Sequence, residues 1–88
     1  MIFINNVELP EDTNSVRLEP CEELDKAVIG YDQDEDKLIY SVDTLLSCFE
    51  AMGMTLQDAW EWFLYNTLRT GDYVDNYPIF IDEDGEEV

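Results

Sequence analysis

The sequence predicts an α+β domain: a small antiparallel β-sheet, built on a hairpin over about 27–41 with edge strands, packed against a two-helix hairpin over about 42–52 and 55–69. Three observations predict it. Ser41 to Arg69 (SVDTLLSCFEAMGMTLQDAWEWFLYNTLR) holds both Trp residues and repeats its apolar residues at helical spacing. Ala27–Tyr31 (AVIGY) and Lys37–Val42 (KLIYSV) are short, β-branched or alternating runs on either side of an acidic DQDED stretch. A chain of 88 residues, 45% hydrophobic, has material for one core and not two, so 1–88 reads as a single domain.

In order along the chain, Met1–Leu9 predicts a first strand with Ile2, Ile4 and Val7 facing inward, Asn5-Asn6 being an alternative turn. Pro10–Ser15 is a loop of turn-formers, and Val16-Arg17-Leu18 a short strand closed by Glu19-Pro20. Glu22–Lys26 has the length of one helical turn. The hairpin follows, with its acidic loop between the two apolar runs.

Ser41 is the expected N-cap of the first long helix, where its hydroxyl can accept from free N–H groups and Asp43 favours the positive end. Val42, Leu45, Leu46, Phe49 and Met52 share one face. Gly53 is the expected left-handed stop, and Thr55 with Asp58 forms a capping-box variant for the second helix. Leu56, Ala59, Trp60, Phe63, Leu64 and Leu68 make its inward stripe; Asp58, Glu61, Trp62, Tyr65 and Arg69 lie on the other side. Thr70-Gly71-Asp72 ends it, Pro78–Ile81 reads as a closing strand, and the acidic tail 83–88 is expected to be flexible.

Charge is the outlying property. Twenty-two Asp and Glu face four Lys and Arg with no His, a formal net charge of −18. That field disfavours nucleic acid and anionic membrane as direct ligands and favours basic partners or cations. Cys21 and Cys48 are too few for a disulfide scaffold, and Cys48 sits near an apolar helix face as a buried free thiol would. The start lacks a basic leader and no apolar run reaches membrane-spanning length, so the expected place is the cytoplasm.

Three chemistries compete. Asp32, Asp34 and Asp36 match calcium-loop positions 1, 3 and 5, with Ile39 at position 8 and Asp43 at position 12. Lys37 replaces the turn Gly there, and the bland alternative is a solvated hairpin loop. Catalysis finds no His, no phosphate-binding Gly-rich loop, no CxxC and no base to activate Cys48, so no enzyme and no cofactor are expected.

The third chemistry is charge mimicry. Along an extended strand, alternate carboxylates would stand about 6.8 Å apart on one face. Phosphates along one nucleic-acid strand rise about 3.4 Å each, so such carboxylates would fall in step with every second phosphate. Asp32, Asp34, Glu35 and Asp36 form one cluster; Glu19, Glu22, Glu23 and Asp25 a second; Asp82, Glu83, Asp84, Glu86 and Glu87 a third. A cleft that binds phosphates with Lys and Arg would accept them. Trp62, Tyr65 and Arg69 either pack against the sheet or form an aromatic anchor on a protein-binding adaptor.

The run from Lys26 to Asp82 resembles a family of small, largely uncharacterised phage and prophage proteins. Gly53-Met54-Thr55, Asp58-Ala59, Glu61-Trp62, Tyr65-Asn66-Thr67, Arg69 and Pro78-Ile79 carry the resemblance. It implies a phage origin and brings no activity. In size and charge the chain is similar in kind to acidic phage anti-defence inhibitors, the anti-CRISPR proteins among them. The combined expectation is a non-enzymatic inhibitor in the cytoplasm of a host bacterium. It would occupy the basic nucleic-acid-binding surface of a CRISPR effector or another DNA-binding host protein. The alternatives are the adaptor and a weak calcium-binding protein.

Overall fold

A computed structural model describes residues 2–88. Two short strands come first, β1 (Ile2–Ile4) and β2 (Val7–Leu9), joined antiparallel with Ile2 opposite Leu9. Asn5 and Asn6 both take left-handed backbone, φ 50° and 67°, the two-residue turn that suits the twist of a tight hairpin. Residues 2–9 are therefore a hairpin turning at Asn5-Asn6 and not one strand, and Met1 lies outside the described residues. Ile4 and Leu9 are buried and Val7 is half-buried; Ile2, expected inward, is exposed at the open end of the ribbon, away from the Asn5-Asn6 turn. The Asn5 side chain pins this hairpin to the body by donating to the Val28 carbonyl at 2.9 Å.

Residues 16–18, expected as a strand, pair with no strand. They are held by single bonds, Val16 N–H to the Asn76 carbonyl (3.0 Å) and Leu18 N–H to the Tyr40 hydroxyl (3.0 Å). One turn of helix, α1 (Cys21–Leu24), runs through a 3₁₀ turn (Asp25–Ala27) into β3 (Val28–Asp32). β3 pairs antiparallel with β4 (Lys37–Ser41), with a bulge at Ile29. Gly30 follows the bulge, where an added Cβ would stand 3.4 Å from the Ile39 side chain.

The helical hairpin forms at the signals its sequence carries. Ser41 Oγ accepts from Thr44 N–H at the head of α2 (Val42–Ala51). Gly53 stops it at φ +106°, and Thr55 Oγ1 accepts from Asp58 N–H at the head of α3 (Leu56–Trp62). The helix then widens. Phe63–Leu68 is a π-helical stretch and Arg69–Asp72 a 3₁₀ turn, where the sequence predicts one regular helix to residue 69.

The last strand, β5 (Ile79–Ile81), lies beside β4 in the order β3-β4-β5 and runs parallel to it, Ile39 beside Ile79 and Ser41 beside Ile81. The sheet is thus mixed and not wholly antiparallel as expected. A parallel neighbour needs a long crossover, and α2 with α3 provides one. Segment 83–88, expected to be a flexible tail, folds back on residues 80–82. Asp82 Oδ1 accepts from Asp84 and Glu86 N–H, each at 2.9 Å, and Gly85 turns the chain at φ +85°. Glu87 then bridges to Ile81 and Val88 N–H donates to the Phe80 carbonyl at 2.9 Å, so the return covers the outer edge of β5.

The core lies between the sheet and the helices. Leu38 and Tyr40 from β4, Phe80 from β5, Leu45 and Phe49 from α2, and Phe63 beyond α3 are its centre. Phe63 and Phe80 meet edge-on at 5.2 Å between ring centroids, and Tyr40 and Phe80 at 6.1 Å.

Candidate functional site

The acidic clusters are best placed by the sheet. β3 begins one 3₁₀ turn after α1, and β5, parallel to β4, ends beside Ser41. The α1 cluster (Glu19, Glu22, Glu23, Asp25) and Asp82, Glu83 and Asp84 therefore belong to the same end of the sheet. Asp32, Asp34, Glu35 and Asp36 sit at the opposite end, across strands of five residues, roughly 16 Å away. The structure brings two clusters to one end and separates the third.

The extended rail expected of Asp32, Asp34 and Asp36 does not form. Residues 33–36 are a turn, with Asp36 at φ 55°. Asp32 Oδ1 accepts from Asp34 N–H (2.9 Å) and Glu35 N–H (3.2 Å), closing that turn. Asp36 points back toward the body: its carboxylate accepts from the hydroxyls of Thr13 and Tyr31 and, at 2.8 Å, from Asn14 N–H. The Thr13 and Tyr31 hydroxyls stabilise the anion and hold Asp36 below the usual carboxylate range. The same bond raises Tyr31, whose phenol must keep its proton to donate it. Asn76, itself at φ 59°, donates to the Glu35 and Asp36 carbonyls and clamps the loop from the other side.

This geometry also breaks up the calcium set. Asp36 is engaged elsewhere, and Asp43, in the first turn of α2, is at the far end of β4 from Asp32 and Asp34. Among the described residues no group of three or more Cys, Asp or Glu side chains is arranged to hold a metal ion.

In the α1 cluster, Asp25 is drawn into an ion pair with Arg17, whose Nε donates to Oδ1 at 2.8 Å. Glu19 accepts from Cys21 N–H, while Glu22 and Glu23 face solvent. Cys48 is buried, its thiol held 3.3 Å from the Glu23 carbonyl and pushed up in pKa by that burial, which makes it a poor nucleophile. Asp34, Glu35, Glu83, Asp84, Glu86 and Glu87 are exposed.

The second helix presents a face that periodicity alone misjudges. Of the expected inward stripe only Ala59 and Phe63 are buried, with Leu68 half-buried, and Thr67 joins them. Leu56, Trp60 and Leu64 form a ridge at the stripe's edge and stay exposed, because the core meets the narrow line 59-63-67. On the other side Trp62 is 47% and Tyr65 64% exposed, so they do not pack against the sheet. With Met54, Asp58, Glu61 and Asn66 they line an open depression of about 360 Å³. Arg69 is exposed but, placed beyond the π-helical stretch, does not line it. Asp58 and Glu61 belong to this face by helical spacing, a signal present in the sequence and read there only as polarity.

Compared with known proteins, the chain matches no family model, no curated protein and no solved structure. Among the described residues no helix is long and apolar enough to cross a membrane.

Proposed function

We propose that the protein is a non-enzymatic acidic inhibitor, of the kind phages direct against host defences. It occupies the basic nucleic-acid-binding surface of a host protein, a CRISPR effector or another DNA-processing enzyme. The observation that carries this reading is the disposition of charge. Twenty-two acidic residues face four basic ones, and the carboxylates of Asp34 and Glu35 at one end of the sheet, and of Glu22, Glu23, Glu83 and Asp84 at the other, are exposed. A magnitude of roughly 2 to 8 is enough for solubility in a small domain, so −18 asks for another reason.

The mechanism is occlusion. Lys and Arg placed to bind phosphates accept carboxylates in their stead, and the released counterions drive association. Nucleic acid itself is repelled. Because the carboxylates lie on two ends and not along one rail, the inhibitor fills a cleft with charge on opposed sides instead of replacing a single strand.

Capture from a bacterial host lysate on the immobilised protein tests the proposal. A nucleic-acid-binding protein should be retained at low salt and released at high salt, and nucleic acid should compete with the capture. Recovery of no nucleic-acid-binding protein at low salt overturns it.

A further inference from the structure

The depression on α3 has a chemistry that charge alone does not describe. Asp58, Glu61, Trp62, Tyr65 and Asn66 follow one another at offsets of 0, 3, 4, 7 and 8, so one helix face carries them all. Two flat aromatic side chains and two carboxylates border the same open space, with the Met54 thioether beside them. Among the described residues neither Asp58 nor Glu61 is in an ion pair; Glu61 accepts a long bond, 3.4 Å, from the Gln57 amide. An exposed indole and phenol at a monomer surface leave apolar area in water, and the adjacent carboxylates select what can cover it.

We infer that this depression is a receptor for an arginine side chain of the basic partner. A guanidinium is planar, stacks on aromatic faces and is weakly hydrated, while its fork of N–H donors matches carboxylates. Trp62 and Tyr65 supply the faces and Asp58 and Glu61 the acceptors. An ammonium offers a point charge and no plane to stack. The inference rests on the proposed acidic binding function and adds to it a fixed anchor, so that the partner is held in one orientation and not merely attracted.

The test follows the two indole N–H signals of the full-length, isotope-labelled protein by NMR while hexa-arginine or hexa-lysine is added at fixed ionic strength. Trp60 is the internal control, since two residues further back on the helix place it about 200° around the axis from Trp62. Hexa-arginine should shift Trp62 and leave Trp60 in place. Hexa-lysine should bind more weakly and move Trp62 less. Trp62→Ala, Tyr65→Ala and the double change Asp58→Asn with Glu61→Gln should each weaken hexa-arginine binding about 3- to 30-fold. Neutralising Glu83 and Asp84 should lower affinity for both peptides equally.

If hexa-arginine binds but Trp62 stays still, or hexa-lysine moves it as far, the anchor is wrong while the acidic function stands. If neither peptide binds, the acidic function fails with it. The wild-type titration alone decides between these outcomes, whatever the variants do to folding.

Discussion

Tyr40 is the residue whose environment is most demanding. Its ring is fully buried against Phe80, and its hydroxyl accepts the Leu18 N–H that ties segment 16–18 to the sheet. Tyr40→Phe keeps the ring and orphans a buried donor, so urea unfolding should show a loss of about 1–3 kcal/mol. Burial pushes the Tyr40 pKa up to about 12. A group raised in the folded state stabilises it below the unfolded pKa, about 10, and that contribution is lost as pH rises through the folded value. Stability should therefore decline between about pH 10 and 12, and less steeply in Tyr40→Phe.

Asp36 gives the opposite limb. Its pKa is lowered, so its contribution is present above the unfolded value, about 3.9, and disappears as pH falls through the folded one. Thermal melts of Asp36→Asn across acid pH should show a flatter decline than wild type. If the two curves run parallel, the bonds from Thr13 and Tyr31 hold nothing together. Asp32, Asp34 and Asp36 form a rail only on an extended backbone. The turn at 33–36, and partners 22 and 23 residues earlier in the chain, are not visible in that spacing.

Elements whose causes are local were the legible ones. Ser41, Gly53 and Thr55 act within one turn of their own positions, and all three stand where they were expected. Gly53 is the sharpest of them, since nothing crowds it and only its backbone conformation forbids a side chain. Gly53→Ala should destabilise by about 1 kcal/mol, read from the denaturation midpoint with an unchanged slope. The direction of β5 was not legible, because it depends on which end of the sheet the crossover returns to. Nor was the exposure of Trp60 and Leu64: periodicity finds the apolar side of a helix, not how much of it a small core can cover. The candidate site divides likewise, the polar side of α3 being readable and the shared depression of Asp58, Glu61, Trp62 and Tyr65 appearing only once the helix is placed.

For the molecule as a whole, the charge predicts two salt dependences of opposite sign. Added salt screens the self-repulsion of a body carrying −18, so the melting temperature should rise with ionic strength. The same salt should weaken the complex with a basic partner steeply. Melting curves and binding curves measured over one salt series check both trends. A complex lost only where the protein also unfolds would mean that charge is not what holds it.

The return of residues 86–88 along β5 has a consequence for association. An open strand edge is a template for any passing strand, and here a tethered rival already occupies it. A short tether presents its segment at an effective concentration on the order of millimolar. A foreign strand, or the same edge of a second molecule, must exceed that local concentration before it can pair. The loop through Gly85 thus sets a dosage threshold for edge-to-edge assembly, and its length is the parameter that tunes it.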